Sequence, residues 1–77
     1  MKVAILGAGE VGVFLARQLS QRGEEVVVVD QSRDRLRRAE EEADALTLCG
    51  DATHRSTLSA AEVNEADLVV ALAGRDE

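Results

Sequence analysis

The fold is decided by the stretch KVAILGAGEVG, residues Lys2–Gly12. Its apolar run, residues 3–6, predicts a buried parallel strand. Glycines then follow in the spacing G-x-G-x-x-G, at Gly7, Gly9 and Gly12, and a helical pattern begins at once. A strand, turn and helix in this order present free N–H groups and the positive end of a helix dipole to an anion. The stretch therefore predicts a phosphate-binding turn at the start of a parallel sheet.

Each glycine of this turn has its own physical role. Gly7 permits the tight turn, Gly9 lets a diphosphate approach the main chain, and Gly12 lets the helix pack closely on the sheet. Glu10 and Val11 open the helix and are expected at the same site. Because the flanking strand and helix and an acid downstream are all in place, the pattern is a strong indication of a nucleotide site.

Strands and helices continue to alternate along the rest of the chain. The predicted helices cover about 10–22, 33–43 and 55–62, and the later strands cover 26–29, 45–49 and 68–72. Alternation with short loops predicts an α/β fold of the Rossmann type, βαβαβαβ, with a parallel sheet in the order 3-2-1-4 and helices on both faces. Residues 1–77 form one such domain. In the first helix, Val11, Phe14, Leu15 and Leu19 are expected to face the core.

Composition narrows the classes of function. The chain has 77 residues, an apolar fraction of 45%, and a net charge of −6. The acidic balance and the single aromatic residue, Phe14, argue against binding to nucleic acid. No apolar run approaches the roughly 20 residues of a membrane span, so direct membrane insertion is not expected. One cysteine allows no internal disulfide, which favours a cytoplasmic setting.

An acid at the end of the second strand is the next candidate site residue. Asp30 lies eighteen residues beyond Gly12, where a carboxylate can accept hydrogen bonds from both hydroxyls of an adenosine ribose. The same charge repels a 2′-phosphate, which favours NAD(H) over NADP(H). Gln31 adjoins it, and Arg35 of the second helix is placed to touch a ribose or phosphate, although it is otherwise an ordinary surface residue. The alternative role for Asp30 is a loop acid or helix cap.

The third and fourth strands end in two further candidate segments. After the third strand, Gly50, Asp51 and Ala52 can meet adenine, with the carboxylate accepting from the amino group; the alternative is a simple turn and helix cap. After the fourth strand, Ala73 and Gly74 are small enough for the second half of a dinucleotide to lie over them. A plain strand end is an equally good account of that segment.

No catalytic or metal-binding constellation is visible. His54 has no partner base or nucleophile and is expected to be exposed at the start of the third helix. Cys49 is expected to be a small buried apolar side chain. The sequence thus predicts a binding domain without catalytic residues and without a metal site.

Four segments together resemble one known family. The segments that carry the resemblance are KVAILGAGEVG, VVVVDQSRDRL, LCGDATHRSTLSAA and EADLVVALAGRDE. The similarity is to the nucleotide-binding half of RCK (KTN) domains. These are cytoplasmic regulatory parts of Trk- and Ktr-type potassium uptake systems and of some channels and antiporters. The resemblance implies binding of NAD(H) or of ATP, ADP or AMP, without chemistry on the ligand. It also implies a membrane-embedded potassium transporter subunit as partner.

Two departures from that family matter. Glu62 occupies a slot after the third helix that is usually glycine, which is expected to lengthen the helix or change its cap. Such domains also continue for two more strands, whereas this sequence stops at Glu77, as a truncated, reconstructed or designed chain would. The fourth strand is then expected to be an uncovered apolar edge, forming a homodimer or swapped oligomer through Leu68, Val70 and Leu72.

Two other classes of function stay open at this point. The chain is alternatively the cofactor-binding fragment of an NAD-dependent dehydrogenase, although 77 residues supply no substrate domain. It is otherwise an engineered minimal scaffold that binds no ligand. A panel of nucleotides tested for stabilisation separates the last class from the others.

Overall fold

The computed structural model describes residues 1–72, in which strands and helices alternate as expected. The elements are β1 (Lys2–Leu6), α1 (Glu10–Gln21), β2 (Glu25–Asp30), α2 (Arg33–Glu42), β3 (Leu46–Cys49), α3 (Arg55–Ala60), a 3₁₀ turn (Val63–Glu65) and β4 (Leu68–Ala71). None of the helices in this range is long and apolar enough to cross a membrane.

The four strands form one parallel sheet in the order β3-β2-β1-β4, which confirms the predicted topology. In register, Leu6 lies between Val29 and Ala71, and Asp30 lies beside Cys49. The carboxyl ends of all four strands therefore meet along one rim. The loops that follow them are brought together there.

Helices cover both faces of the sheet, as predicted. One core packs Val3, Ile5, Val26 and Val28 against α1 and α2. The other packs the alternate residues of the same two strands against α3 and the 3₁₀ turn. Because β1 and β2 are buried on both faces, their apolar runs are unbroken. The chain reverses direction across the sheet after β3, so a crossover of the same hand places α3 on the opposite face.

The expected buried face of α1 was partly wrong. Val11 and Phe14 are 60% and 52% exposed, whereas the buried residues are Gly12, Val13 and Ala16. Leu15 and Leu19 do pack against the core, partly buried. At Gly12, α1 lies so close to the backbone of Gly7 that only small side chains fit in the contact. Val11 and Phe14 are turned outward as a result.

The second helix follows its predicted pattern. Ser32 caps it by accepting a hydrogen bond at 3.2 Å from the Arg35 N–H. Leu36 and Ala39 form its buried face, and Ala43 packs beside them.

The third helix ends earlier than expected, at Ala60. Glu62 adopts a left-handed conformation with φ 57°, which is the backbone state that a glycine in this slot would take without strain. Its carboxylate pairs with the Lys2 ammonium, and this hydrogen bond lowers the pKa of Glu62 and raises that of Lys2. The substitution has therefore changed the cap and has not lengthened the helix.

Candidate functional site

A cleft of about 1230 Å³ lies along the carboxyl rim of the sheet. Eleven of the predicted site residues line it: Gly7, Gly9, Glu10, Val11, Gly12, Asp30, Gln31, Arg35, Gly50, Asp51 and Ala52. The other two, Ala73 and Gly74, lie outside the described residues. Three loops distant in sequence thus share one open surface. Its volume exceeds the roughly 300–1,000 Å³ of most small-molecule sites, as an open cleft along several loops does.

The glycine turn after β1 is open toward this cleft. Gly7 has φ 129°, which requires glycine, and its N–H donates to the Val29 carbonyl at 2.7 Å. A Cβ on Gly12 would lie 2.0 Å from the Gly7 carbonyl oxygen, so the start of α1 and the turn are in backbone contact. A Cβ on Gly9 would meet no atom of the described residues within 4 Å. Gly9 therefore leaves its main chain accessible from the cleft.

The N-terminus of α1 faces the same space. Gly9 is its N-cap, and among residues 1–72 no side chain makes a capping hydrogen bond there. The first intrahelical bond runs from the Val13 N–H to the Gly9 carbonyl at 2.9 Å. The preceding N–H groups have no intrahelical acceptor, which is the arrangement that binds phosphates at helix ends. Glu10 places one carboxylate in this turn, and that charge opposes a bound anion.

Asp30 is buried between the loops, with 9% of its surface exposed. Its Oδ2 accepts the Ala8 N–H at 2.8 Å, and its Oδ1 accepts the Ser32 N–H at 2.8 Å. An ionised carboxylate offers about four acceptor positions, so both oxygens can still accept a further bond. The alternative of an exposed loop acid or helix N-cap is wrong, because this carboxylate is buried and the N-cap of α2 is Ser32.

Two arginines of α2 line the cleft beside Asp30. Arg35 was predicted here, and its Nη1 lies 3.7 Å from Asp30 Oδ2 with the side chain 63% exposed. Arg38 was missed; it pairs with Glu42 at 3.1 Å and also reaches the cleft wall. The signal was available, because a residue three positions after Arg35 lies on the same helical face.

The loop after β3 is closed by its own side chains. Asp51 Oδ1 accepts the Thr53 N–H at 2.8 Å and the Thr53 hydroxyl at 2.6 Å. These hydrogen bonds lower the pKa of the Asp51 carboxyl, and His54, with Nε2 3.6 Å from Oδ2, lowers it further. The turn that sequence offered as an alternative is thus present. The cap of α3 is His54, and neither Asp51 nor Thr53 caps it by a side-chain bond.

Two of the remaining expectations have opposite outcomes. His54 is exposed just before α3, as predicted. Cys49 is exposed, so its expected burial was wrong; its thiol donates to the Gln31 carbonyl at 3.4 Å. It ends an edge strand, where one side has no neighbouring strand to cover it. Within residues 1–72, no group of three or more His, Cys, Asp or Glu side chains is arranged to hold a metal ion.

Comparison with known proteins identifies the family. Residues 3–77 match the family model described as the TrkA-N domain. Over all 77 residues the chain is 38% identical to a Trk system potassium uptake protein TrkA homolog of Pyrococcus abyssi and 39% identical to one of Methanothermobacter thermautotrophicus. It is also 39% identical to the Trk system potassium uptake protein TrkA of Vibrio alginolyticus. The chain spans 34%, 36% and 17% of these relatives, respectively. With a match that covers nearly its whole length, this chain belongs to the TrkA-N domain family.

Proposed function

We propose that this domain binds an adenine nucleotide, NAD(H) or ATP, ADP or AMP, at the rim cleft, and that occupancy regulates a potassium uptake system. One observation carries the proposal: an open glycine turn at an uncapped helix N-terminus shares a cleft with two acidic strand ends. The first feature suits a diphosphate and the second suits a ribose and an adenine.

The proposed phosphate subsite is the turn over Gly9. The empty space at this residue supports close approach of a diphosphate to main-chain N–H groups of the first turn of α1. Charges of both signs surround this subsite, because the acidic Glu10 and the basic Arg35 and Arg38 all line the cleft. Phosphate affinity is therefore expected to come mainly from the N–H groups and the helix dipole.

The proposed adenosine subsite lies between Asp30 and the loop after β3. The free acceptor positions of Asp30 support hydrogen bonds from the ribose hydroxyls, and its charge disfavours a 2′-phosphate. Asp51 Oδ1 is engaged by Thr53, and Oδ2, which lies 3.6 Å from His54 Nε2, keeps an acceptor position for the adenine amino group. Adjacent Ala52 supplies a main-chain N–H for a ring nitrogen.

The regulatory part of the proposal comes from the relatives, which are named as potassium uptake proteins. We infer that this chain acts likewise in the cytoplasm, against a transporter's membrane subunit, with the nucleotide setting its conformation. No reaction of the ligand is part of the proposal. A dehydrogenase fragment is the competing class, and hydride transfer from any common alcohol or hydroxy acid to NAD would favour it.

We also propose that copies of the chain associate through β4. This strand is at the sheet edge, and Leu68 and Leu72 are 41% and 39% exposed, with Val70 half-buried between them. Size-exclusion chromatography with light scattering at micromolar concentration is expected to show a dimer or larger species. Leu68→Lys is expected to give a monomer, whereas Leu46→Lys on the opposite edge leaves the association intact. A monomeric unaltered protein would contradict this proposal.

A ligand panel tests the main proposal. Thermal unfolding is measured with AMP, ADP, ATP, NAD, NADH and NADPH at millimolar concentration, and ligands that bind the folded state raise the melting temperature. ADP and AMP are expected to stabilise the domain, and NADPH less than NADH. Gly9→Val is expected to remove stabilisation by ADP, whereas Ala60→Val, which creates the same side chain at an exposed site of α3, preserves it. If no nucleotide stabilises the unaltered domain, it is a scaffold without a ligand.

A further inference from the structure

Asp30 is bonded to all three loops of the rim. Its main-chain carbonyl accepts the Gly50 N–H at 3.0 Å, from the loop after β3. Its side chain accepts the Ala8 N–H from the glycine turn and the Ser32 N–H at the start of α2, both at 2.8 Å. One residue thus fixes the relative positions of the segments that line the cleft.

The side-chain bonds of Asp30 are made in a buried setting. Asp30 is the buried charged residue of the described chain, at 9% exposure, and Ala8 is 2% exposed. Water therefore has little access to the Ala8 N–H. A buried donor that loses its acceptor destabilises the conformation that buries it. The glycine turn consequently depends on this carboxylate for its shape.

We propose that Asp30 is a positioning residue for the phosphate-binding turn, in addition to its proposed contact with ribose. This inference rests on the proposed function. It makes a distinct claim: Asp30 controls affinity for a ligand that contains phosphate and no ribose. A residue that only contacts ribose would leave such a ligand unaffected.

Asp30→Ala separates the two roles when the ligand contains no ribose. It removes both acceptor oxygens, so the Ala8 and Ser32 N–H groups both lose their side-chain acceptor. Because pyrophosphate has no hydroxyl for Asp30 to contact, a loss of its affinity reports the turn and not the ribose contact.

The test compares inorganic pyrophosphate with AMP, using amide NMR titrations of the whole chain. Asp30→Ala is expected to weaken pyrophosphate binding about tenfold, the change that corresponds to 1.4 kcal/mol, because loss of the shaped turn outweighs the gain from removing one negative charge. Asp34→Ala is the matched control, because it removes the same group from a side chain that is 88% exposed. Its pyrophosphate affinity is expected to stay within about twofold of the unaltered chain. Unchanged or tighter pyrophosphate binding in Asp30→Ala would overturn the inference.

Hydrogen exchange of the Ala8 amide tests the inference without a ligand. In Asp30→Ala this exchange is expected to be about tenfold faster relative to the amide of Ala4, a core strand residue that reports global unfolding. An unchanged ratio would overturn the positioning role. If Asp30→Ala does not fold, a scalar coupling across the Ala8–Asp30 hydrogen bond in the unaltered chain replaces it, and absence of that coupling is the contrary result. Failure of the unaltered chain to bind pyrophosphate or any nucleotide would instead refute the proposed function.

Discussion

Adding one methyl group to either of two glycines in the same turn is expected to have opposite consequences. At Gly12, the new Cβ would lie 2.0 Å from the Gly7 carbonyl oxygen and 3.0 Å from its carbon. Since Cβ atoms essentially never come within 3.0 Å of such an atom, the helix and the turn must separate by about 1 Å. At Gly9, the same methyl group meets nothing within 4 Å, and φ is −73°.

The cost at Gly12 follows from this displacement. Overpacking a well-packed contact costs about 1–3 kcal/mol, and a clash between two backbone segments belongs at the upper end of that range. In a domain of this size 1 kcal/mol corresponds to about 4–8 °C in melting temperature, so Gly12→Ala is expected to lower it by at least about 12 °C. Gly9→Ala has two small, opposing effects on the free energy of unfolding. Alanine is a poorer N-cap, which lowers it, and alanine makes the unfolded chain less flexible, which raises it. Its melting temperature is expected to stay within about 4 °C.

Circular dichroism melting curves of the two variants, each with and without ADP, measure both effects. Gly12→Ala is expected to be unstable, and Gly9→Ala to be stable but to gain little from ADP, because its methyl group projects where the phosphates approach. The reasoning would be refuted if Gly12→Ala melted within a few degrees of the unaltered chain. It would also be refuted if Gly9→Ala kept full stabilisation by ADP.

Three further predictions concern acidic residues. The left-handed conformation at residue 62 costs an L-residue about 1 kcal/mol, and Glu62→Gly relieves this strain. Glu62→Gly should therefore melt about 4–8 °C above Glu62→Ala, a control that lacks the same carboxylate. Equal melting temperatures of the two variants would show that the strain is absent. Glu10→Gln removes a negative charge beside the proposed phosphate site, so it should tighten ADP binding by up to about fivefold at low salt. Glu41→Gln, outside the cleft, should leave the affinity unchanged when both are measured by calorimetry. Weaker ADP binding by Glu10→Gln would contradict the assignment of the phosphate site. The pKa of Asp51 is lowered mainly by Thr53, so its contribution to stability is present above the unfolded value of 3.8 and is lost as pH falls through the lower folded value. Thr53→Val should raise that pKa toward 3.8 in a carbon-detected NMR titration, and Thr53→Ser should not; an unchanged pKa in the valine variant would exclude the hydroxyl as its cause.

The order of elements and the meeting of three loops could be predicted because both depend on local patterns. Unbroken apolar strands, glycine spacing and alternation fix a parallel sheet, and a parallel sheet places all its carboxyl ends at one rim. The loops after Leu6, Asp30 and Cys49 therefore had to be neighbours. No contact between particular side chains was needed for that inference.

The orientation of α1 could not be predicted from spacing alone. Both possible faces contain apolar residues at helical intervals, one through Val11 and Phe14 and the other through Val13 and Ala16. The choice is made by the short distance between helix and turn at Gly12, which is a property of the packed backbone. Close packing favours the smaller side chains, against the usual preference for burying the larger ones.

The hydrogen bonds of Asp30 could not be predicted from the sequence either. An acid at the end of β2 could be placed at the cleft, but its partners Ala8 and Ser32 are main-chain N–H groups, which every residue carries. Which of them face the carboxylate depends on the conformation of two loops. The exposure of Cys49 could have been predicted, since the predicted order 3-2-1-4 already places β3 at an edge of the sheet.

The central claim is that one rim holds adenosine and its phosphates, and an amide NMR titration of the unaltered chain with ADP tests it most directly. We predict saturable shifts concentrated in the glycine turn around Gly9, the end of β2 at Asp30, and the loop at Asp51. Shifts at only one of these loops, at the amino ends of the strands, or at none of the amides with millimolar ADP would contradict it.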